Sequence, residues 1–398
     1  MAAACTLVLS LAAPAGATND PLFPRQWNLA KIGAPQAWSK GTGKDVLIGV
    51  VDTGVDSSHP ELAGKVVAAA TCLAGPCQDG GGDDDNGHGT EVAGIAAAAT
   101  GNGRGVAAVA PDAKLLVAKA LDSGGAGRVD DINAGIRWVV DHGAKVVNLS
   151  LGDPDFLLTS RVGSPLRPGI EYAWAHGAVP VLASGNYRVG VVDAGSSNYG
   201  DLDALVVGAT DRFDRVPAYS SAIGNAKWGL AAPGGAGAPG GPDENVIAPS
   251  LRGSYRAVAG TSAAAPHVAG AIAVLLGMGF TPAAAVQRVL ATLDAKVPCG
   301  LGCQGRLDMA AAVAAGAPPV AHATGQSRLA GGAGTPAAGG PGAASQPLVG
   351  ARQEAGARER SSTQRSRAVI VLAAAAVVAA ASGVGAVSWA RLRGGGRW

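Results

Sequence analysis

Three polar residues have the types and the order that nucleophilic catalysis needs: Asp52, His88 and Ser262. A serine hydroxyl becomes a nucleophile when a neighbouring base removes its proton. A histidine base in turn needs a carboxylate that holds its tautomer and stabilises the imidazolium. The three residues therefore predict a catalytic triad in the chain order Asp, His, Ser.

Each of the three residues also has an ordinary structural explanation. Asp52 is typical of a turn, His88 suits the cap region of a helix, and Ser262 is a common N-cap residue. Two features favour chemistry. Gly87 and Gly89 permit close backbone approach around His88, and a serine at a helix start lies near unpaired N–H groups that stabilise an oxyanion.

Short apolar runs alternate with helical patterns along the chain. The runs are typical of parallel strands covered on both faces, and they lie at 45–51, 114–120, 145–149, 179–183 and 204–207. The helical patterns lie at 88–99, 129–142, 169–176 and 262–278. This alternation predicts an α/β fold, a doubly wound parallel sheet with helices on both faces. Functional sites of such sheets lie at the carboxyl ends of the strands, where Asp52 stands.

The strings around the three residues resemble the motifs of the subtilisin-like serine peptidases, or subtilases. These strings are Val51-Asp52-Thr53-Gly54-Val55-Asp56 with His59-Pro60, His88-Gly89-Thr90-Glu91-Val92-Ala93-Gly94, and Gly260-Thr261-Ser262 with Ala265-Pro266-His267-Val268-Ala269-Gly270. The order Asp, His, Ser is also that of subtilisin. The resemblance covers about 35–293. It implies a subtilisin-like fold and a serine endopeptidase that cleaves peptide or protein substrates through an acyl-enzyme.

The resemblance assigns roles to two further segments. The string at 181–186 resembles the family's oxyanion-hole segment, which implies that the Asn186 amide and the Ser262 backbone N–H stabilise the tetrahedral intermediate. A plain turn at Asn186 is the alternative. Ser150, Leu151 and Gly152 resemble the edge that binds an extended substrate as an added strand.

Composition and charge exclude two other classes of protein. Hydrophobic residues make up 48% of the chain, too many for a wholly disordered protein. Thirty-one basic residues face 29 acidic ones, for a net charge of +2, and no stretch interleaves aromatic residues with a run of Lys and Arg. Nucleic acid is therefore excluded as a partner.

The two ends of the chain predict export and membrane anchoring. Residues 1–17 are uncharged and end in small residues, as a secretory signal peptide does, although no Lys or Arg precedes their apolar run. A frayed N-terminal segment and a start further upstream are the alternatives. As a helix, the uncharged stretch 368–390 would be about 34 Å long, enough for a hydrocarbon core of about 30 Å. We expect a single-pass transmembrane helix there, with the body outside the cell membrane and the tail 391–398 in the cytoplasm.

The remaining chain divides into an N-terminal arm at 18–44, a catalytic domain at 45–315 and a flexible Ala/Gly/Pro-rich linker at 316–367. The arm is too short for an inhibitory prodomain. This arrangement resembles the mycosins, the membrane-anchored subtilases of type VII secretion, which implies a type VII secretion complex as a partner. The alternative is a secretion-apparatus scaffold or binding module of subtilase fold in which proteolysis is dispensable.

Four cysteines remain once Cys5 leaves with the predicted signal: Cys72, Cys77, Cys299 and Cys303. Four cysteines allow three pairings. The close spacing within each pair favours two local disulfide loops, as expected outside the cell, with a zinc site as the alternative.

An acidic run precedes His88 and comprises Asp79, Asp83, Asp84 and Asp85. A solvated loop and a calcium site are the two interpretations. We assign no metal ligands and expect no required cofactor.

Overall fold

The computed structural model describes residues 18–151, 165–186, 188–189, 192–193, 200–238, 240–314 and 369–371. The predicted signal 1–17, linker 316–367 and tail 391–398 lie outside the described residues. The α-helices are α1 (Trp27–Lys31), α2 (Ala34–Ala37), α3 (His88–Ala97), α4 (Val129–Asp141), α5 (Arg167–Ala175), α6 (Thr261–Gly277), α7 (Pro282–Ala291) and α8 (Met309–Ala314). Short 3₁₀ helices cover Phe23–Arg25, Pro242–Glu244 and Leu251–Gly253.

The strands are β1 (Leu47–Asp52), β2 (Val66–Thr71), β3 (Gln78–Asp79), β4 (Lys114–Lys119), β5 (Ala126–Arg128), β6 (Val146–Leu149), β7 (Val179–Ala183), β8 (Arg188–Val189), β9 (Val192–Asp193), β10 (Leu205–Thr210), β11 (Trp228–Pro233), β12 (Val246–Pro249), β13 (Tyr255–Val258) and β14 (Val369–Val371). Eight of them form one sheet in the order β11-β10-β7-β6-β1-β4-β2-β3. Its neighbours pair in parallel, except for the antiparallel pair β2–β3.

The sheet is covered on both faces, because alternate side chains of its strands enter two different cores. Val50 of β1 packs in one core with residues of α3 and α6, whereas Val51 packs in the other with residues of α4 and α5. This alternation is the geometry of a pleated strand buried on both sides. The predicted doubly wound parallel sheet is confirmed.

The predicted strands and helices are all present, with ends that differ by at most three residues. Two of the longer strands of the sheet, β2 and β11, are not predicted from the sequence. The first reads Val-Val-Ala-Ala-Ala-Thr and the second Trp-Gly-Leu-Ala-Ala-Pro. Alanine, glycine and proline have low strand propensity. These two segments are therefore strands because they pair with β4 and β10, and not because of local preference.

Helix α6 passes through the larger core, and its residues 261–275 are all buried. It contacts α3 and the strands β1, β6, β7, β10 and β11. A helix that is apolar on every side is stable only in such an interior position. Its first turn therefore presents residues 261 and 262 at a fixed place beside the sheet.

The N-terminal arm packs against the body through buried apolar side chains and two tryptophans. Leu29 and Ile32 are fully buried. Nε1 of Trp27 donates to the carbonyl of Asn245 at 3.2 Å, and Nε1 of Trp38 donates to that of Val109 at 3.1 Å. Both indole N–H groups thus find acceptors on the body.

Of the predicted transmembrane helix at 368–390, the structure describes only β14, which pairs antiparallel with β5. These three residues form a strand instead of a helix, in keeping with the strand propensity of Val and Ile. Within the described parts of the chain, none of the helices combines the length and apolar character that a membrane crossing requires.

The four cysteines among the described residues are oxidised. Cys72 pairs with Cys77, and Cys299 pairs with Cys303. The predicted pair of local disulfide loops is confirmed, and the zinc alternative is wrong because none of these four cysteines keeps a thiolate to bind a metal.

Candidate active site

Asp52 and His88 form a buried pair at the carboxyl edge of the sheet. Asp52 ends β1, and His88 begins α3; their side chains are 0% and 5% exposed. Oδ1 of Asp52 lies 2.8 Å from Nδ1 of His88 and accepts from N of Thr53 at 2.7 Å. Since an ionised carboxylate only accepts, Nδ1 carries the proton and Nε2 of the neutral ring keeps its lone pair. Nε2 is buried and has no hydrogen-bond partner among the described residues.

The surroundings of His88 favour its charged form. Burial alone lowers its pKa, but the carboxylate of Asp52 raises it through its charge and its hydrogen bond, and Glu91 and Asp84 raise it further. The result is a pKa above the ordinary value of 6.5. An imidazolium is thus stabilised at the place where a general base would receive a proton.

Asp84 organises the loop that leads into α3. Its carboxylate accepts five hydrogen bonds, from Oγ1 of Thr53, from N of Asn86 and Gly87, and from N and Oγ1 of Thr90, at 2.6–3.0 Å. These contacts satisfy N–H groups at the start of α3 and tie it to the end of β1. The acidic run that precedes His88 was open to interpretation as a solvated loop. That interpretation is wrong for Asp84, because five donors bind its carboxylate.

Lys119 connects the same two elements from the neighbouring strand. It lies opposite Asp52 in the pairing of β4 with β1. Its ammonium donates to the carbonyl of Thr53 at 2.6 Å and to Oδ1 of Asp85 at 2.6 Å. Asp79 also binds a protein donor, Nε1 of Trp138, at 2.7 Å. Within the described ranges, no group of three His, Cys, Asp or Glu residues is placed to hold a metal ion.

Ser262 stands in the first turn of α6, and a proline one turn later shapes its surroundings. Pro266 has no N–H, so it cannot donate to the carbonyl of Ser262, as a helical residue would. The hydroxyl of Ser150 takes this place and donates to that carbonyl at 2.9 Å, while Nδ2 of Asn148 donates to the Ser150 hydroxyl at 2.9 Å. The predicted substrate-edge residue Ser150 thus contacts the backbone of the candidate nucleophile. Leu151 is buried, and Gly152 lies outside the described residues.

His267 belongs to the same motif but is buried as a neutral ring. Its Nδ1 donates to the carbonyl of Ala263 at 2.8 Å, and Nδ2 of Asn28 donates to its Nε2 at 2.8 Å. Burial lowers the pKa of His267 to about 4. Both ring nitrogens are engaged, so this histidine joins α1 to α6 and has no lone pair left to act as a base.

Asn186 lies beside the first turn of α6. Its Oδ1 accepts from N and Oγ1 of Thr261, both at 2.9 Å. A Cβ added to Gly260 would lie 3.1 Å from Nδ2 of Asn186 and 3.6 Å from N of Ser262. The absent Cβ of Gly260 leaves a small space flanked by these two N–H donors, which is what an oxyanion requires.

A serine hydrolase requires a histidine whose tautomer is fixed by a buried carboxylate. A simple binding module has no use for this arrangement. The Subtilase family (Peptidase_S8) model matches residues 43–299. The chain belongs to the subtilase family and is a serine endopeptidase, a hydrolase that acts on peptide bonds.

Known proteins similar to the chain are proteases. Thermitase of Thermoactinomyces vulgaris is 39% identical over 267 residues, 66% of this chain and 86% of that protein. The major intracellular serine protease of Bacillus subtilis (strain 168) is 34% identical over 253 residues, 61% of this chain and 72% of that protein. A solved protease structure from Pseudoalteromonas arctica PAMC 21717 matches with a TM-score of 0.66 and 30% identity, over 75% of this chain and 99% of that one.

Sequence reasoning missed the residues that position the predicted ones. In the sequence Asp84 is one member of an acidic run, although Asp, Asn and Gly at 84, 86 and 87 have the spacing of a side chain that hydrogen-bonds its own loop. Thr261 stands out in the sequence only as a member of the motif around Ser262. The sequence around Lys119 does not indicate its role, because its contact with Asp85 depends on the register of β4 against β1.

Proposed function

We propose that Asp52, His88 and Ser262 carry out the hydrolysis. The Ser262 hydroxyl attacks the scissile carbonyl while Nε2 of His88 takes its proton. The same nitrogen then protonates the leaving amine, and water resolves the acyl-enzyme by the reverse path. The observation that carries this proposal is the buried 2.8 Å contact between Nδ1 of His88 and Oδ1 of Asp52.

In the same proposal, Asn186 and the backbone N–H of Ser262 stabilise the oxyanion of the tetrahedral intermediate. The space beside Gly260 supports this role, since it is flanked by both donors. Removing one such donor typically lowers kcat by about 10²–10³. Asn186→Ala therefore leaves KM almost unchanged and lowers kcat to that extent.

The substrate would be an extended polypeptide that pairs with the segment 150–152 as an added strand. Main-chain hydrogen bonds of this kind give affinity with little dependence on side chains. The buried Ser150 hydroxyl is already engaged with Ser262, so we assign substrate contact to the backbone of this segment.

Labelling with a fluorophosphonate tests the catalytic proposal, since the reagent bonds only to an activated serine. The wild type should form a covalent adduct, and Ser262→Ala should form none while folding normally. Ser39→Ala, which removes an exposed serine of the N-terminal arm, is the matched control and should be labelled like the wild type. A folded wild-type chain that takes no label would favour the scaffold or binding-module function instead.

We also propose that this peptidase is anchored in the cell membrane by one span at 368–390, with the catalytic domain extracytoplasmic. In this proposal residues 369–371 leave their pairing with β5 when the span inserts. The uncharged stretch, its flanking arginines and the two disulfides support this location. The combination of linker and anchor supports a mycosin-type enzyme that works with a type VII secretion complex.

Fractionation tests the anchoring. The full chain should stay in the membrane pellet after carbonate extraction, whereas a chain that stops after Arg367 should be soluble and keep its peptidase activity. A full chain that partitions like the shortened one would overturn the anchor and leave the catalytic proposal intact.

A further inference from the structure

Glu91, one turn after His88 on α3, is a buried carboxylate that the proposed reaction does not use. Its side chain is 8% exposed. Oε1 accepts from Nη1 of Arg256 on β13 at 3.0 Å, and from the hydroxyl of Ser250, which follows β12, at 3.2 Å. Burying a carboxylate is costly unless such donors compensate for lost hydration. A carboxyl group paired with a guanidinium therefore stands where an apolar side chain would avoid that cost.

The hairpin formed by β12 and β13 lies directly on the first turns of α3. A Cβ added to Gly94 would meet the ring of Pro249 at 2.3 Å, so the helix and β12 are in close contact there. A Cβ added to Gly87, the residue before His88, would lie 3.5 Å from Oγ of Ser250. The same serine thus lies beside the helix start and donates to Glu91.

The far side of the hairpin is also held by acidic residues. Oδ2 of Asp56 accepts from N of Arg252 at 2.9 Å, and Oε1 of Glu61 accepts from the hydroxyl of Tyr255 at 2.7 Å. From this anchored position, β13 runs into Gly260 and Ser262. The hairpin therefore directly precedes the proposed nucleophile Ser262 in the chain. It also packs on α3, the helix that begins with the proposed base His88.

We propose that Glu91 is a positioning residue: through Arg256 and Ser250 it fastens the helix that begins with His88 to the hairpin that leads into Ser262. This inference rests on the proposed function, in which His88 is the base and Ser262 the nucleophile. Proton transfer between them needs a heavy-atom distance of about 2.6–3.2 Å. A fixed contact between α3 and the hairpin limits how far the base and the nucleophile can move relative to each other.

The charge of Glu91 also acts on the base. Burial lowers the pKa of His88, while Asp52, Glu91 and Asp84 together raise it above its ordinary value. Burial has the opposite effect on an acid and raises the pKa of Glu91. The charges of Arg256 and His88 lower the pKa of Glu91, and that of Asp84 raises it. A neutral residue at position 91 removes one carboxylate that stabilises the imidazolium, so the base should titrate at lower pH.

The test compares the pH profiles of kcat/KM for Glu91→Gln, Glu91→Ala and a control. Glu91→Gln keeps an acceptor for Arg256 and Ser250 and removes the charge, so the acid limb should move down by about half a pH unit. Glu91→Ala also removes the acceptor, and kcat on the alkaline plateau should fall roughly five- to tenfold with KM unchanged. Glu171→Gln, which removes an exposed carboxylate paired with Arg167 on α5, should change neither quantity.

Each result decides one part of the inference. An acid limb that stays in place in Glu91→Gln overturns the electrostatic effect on His88. Full kcat in Glu91→Ala, or a loss confined to KM, overturns the positioning role. A wild-type profile without any acid limb would instead refute His88 as the base, so failure of the proposed function is distinguishable from failure of this inference.

Discussion

Oδ1 of Asn186 accepts two hydrogen bonds from Thr261, one from its N and one from its Oγ1, both at 2.9 Å. Because a backbone N–H can only donate, this oxygen cannot exchange places with Nδ2, and the amide is held in one orientation. The Thr261 hydroxyl accepts in turn from N of Gly185 at 3.1 Å. The residue before Ser262 thus orients the proposed oxyanion donor.

Thr261→Val removes the hydroxyl and keeps the shape of the side chain. We expect kcat to fall roughly five- to tenfold, because one hydrogen bond that holds the amide is lost. KM should stay the same, since the oxyanion forms only in the transition state. Steady-state kinetics with a peptide substrate measure both. Thr292→Val, which removes a hydroxyl at the end of α7, should leave both constants unchanged; a Thr261→Val loss confined to KM would contradict the role of Thr261.

Gly260→Ala should abolish most of the activity, because the new methyl group would fill the space beside Nδ2 of Asn186. The backbone at Gly260 has φ +153, which adds strain for any other residue. We expect a loss of at least about 10² in kcat/KM, comparable to removing an oxyanion donor. Gly279→Ala is the control, with φ +94 and open space around its Cβ. It should lower the melting temperature and spare turnover; similar losses of turnover in both variants would contradict the oxyanion site.

The acid limb of activity should have its midpoint above pH 6.5, because the pKa of His88 is raised from that value. In the proposed mechanism the neutral ring is the base, and the neighbouring carboxylates stabilise the charged ring, so a higher pH is needed to generate the active form. The pH dependence of kcat/KM for the wild type measures this midpoint. A midpoint below pH 6.5 would show that burial outweighs the carboxylates at this site.

The elements that could be predicted from sequence are those whose local pattern and tertiary environment agree. β7 (Val179–Ala183) was predicted with its correct ends, because an aliphatic run bounded by glycines and polar residues has no competing pattern. β11 reads Trp-Gly-Leu-Ala-Ala-Pro, and only its pairing with β10 makes it a strand. Nothing in a single segment carries information about such a partner.

The same distinction applies to the site. Asp52, His88 and Ser262 could be singled out because their proposed roles depend on residue type and order. The contact of Ser150 with the Ser262 carbonyl could not, since it joins β6 to α6 across a long stretch of chain. It arises because Pro266 leaves that carbonyl without its helical donor.

Ser150→Ala tests this contact. The substitution leaves the carbonyl of Ser262 without its donor in a buried place, so the first turn of α6 should become less well fixed. We expect kcat to fall by roughly tenfold with little change in KM, in line with about 1–2 kcal/mol for an unpaired buried acceptor. A loss that appears chiefly in KM would restore Ser150 as a substrate-binding side chain. Ser39→Ala controls for removal of an exposed hydroxyl.

The two disulfides should differ in their effect on activity, because they lie at opposite ends of the parallel strands. Cys72 follows the carboxyl end of β2, and the chain from Cys77 leads into the loop of Asp84 and His88. Cys303 lies near the amino end of β11, where N of Gln304 donates to the carbonyl of Gly229 at 3.1 Å.

Replacing either pair by alanines should lower the free energy of unfolding by about 2 kcal/mol, the chain-entropy value for so short a loop. Removing the Cys72–Cys77 pair should also lower kcat, since the loop that carries His88 loses an anchor close to the site. Removing the Cys299–Cys303 pair should leave kcat unchanged at temperatures where the variant is folded. Thermal unfolding and steady-state kinetics of the two double variants measure both effects. Equal losses of kcat in the two variants would show that disulfides act here only through global stability.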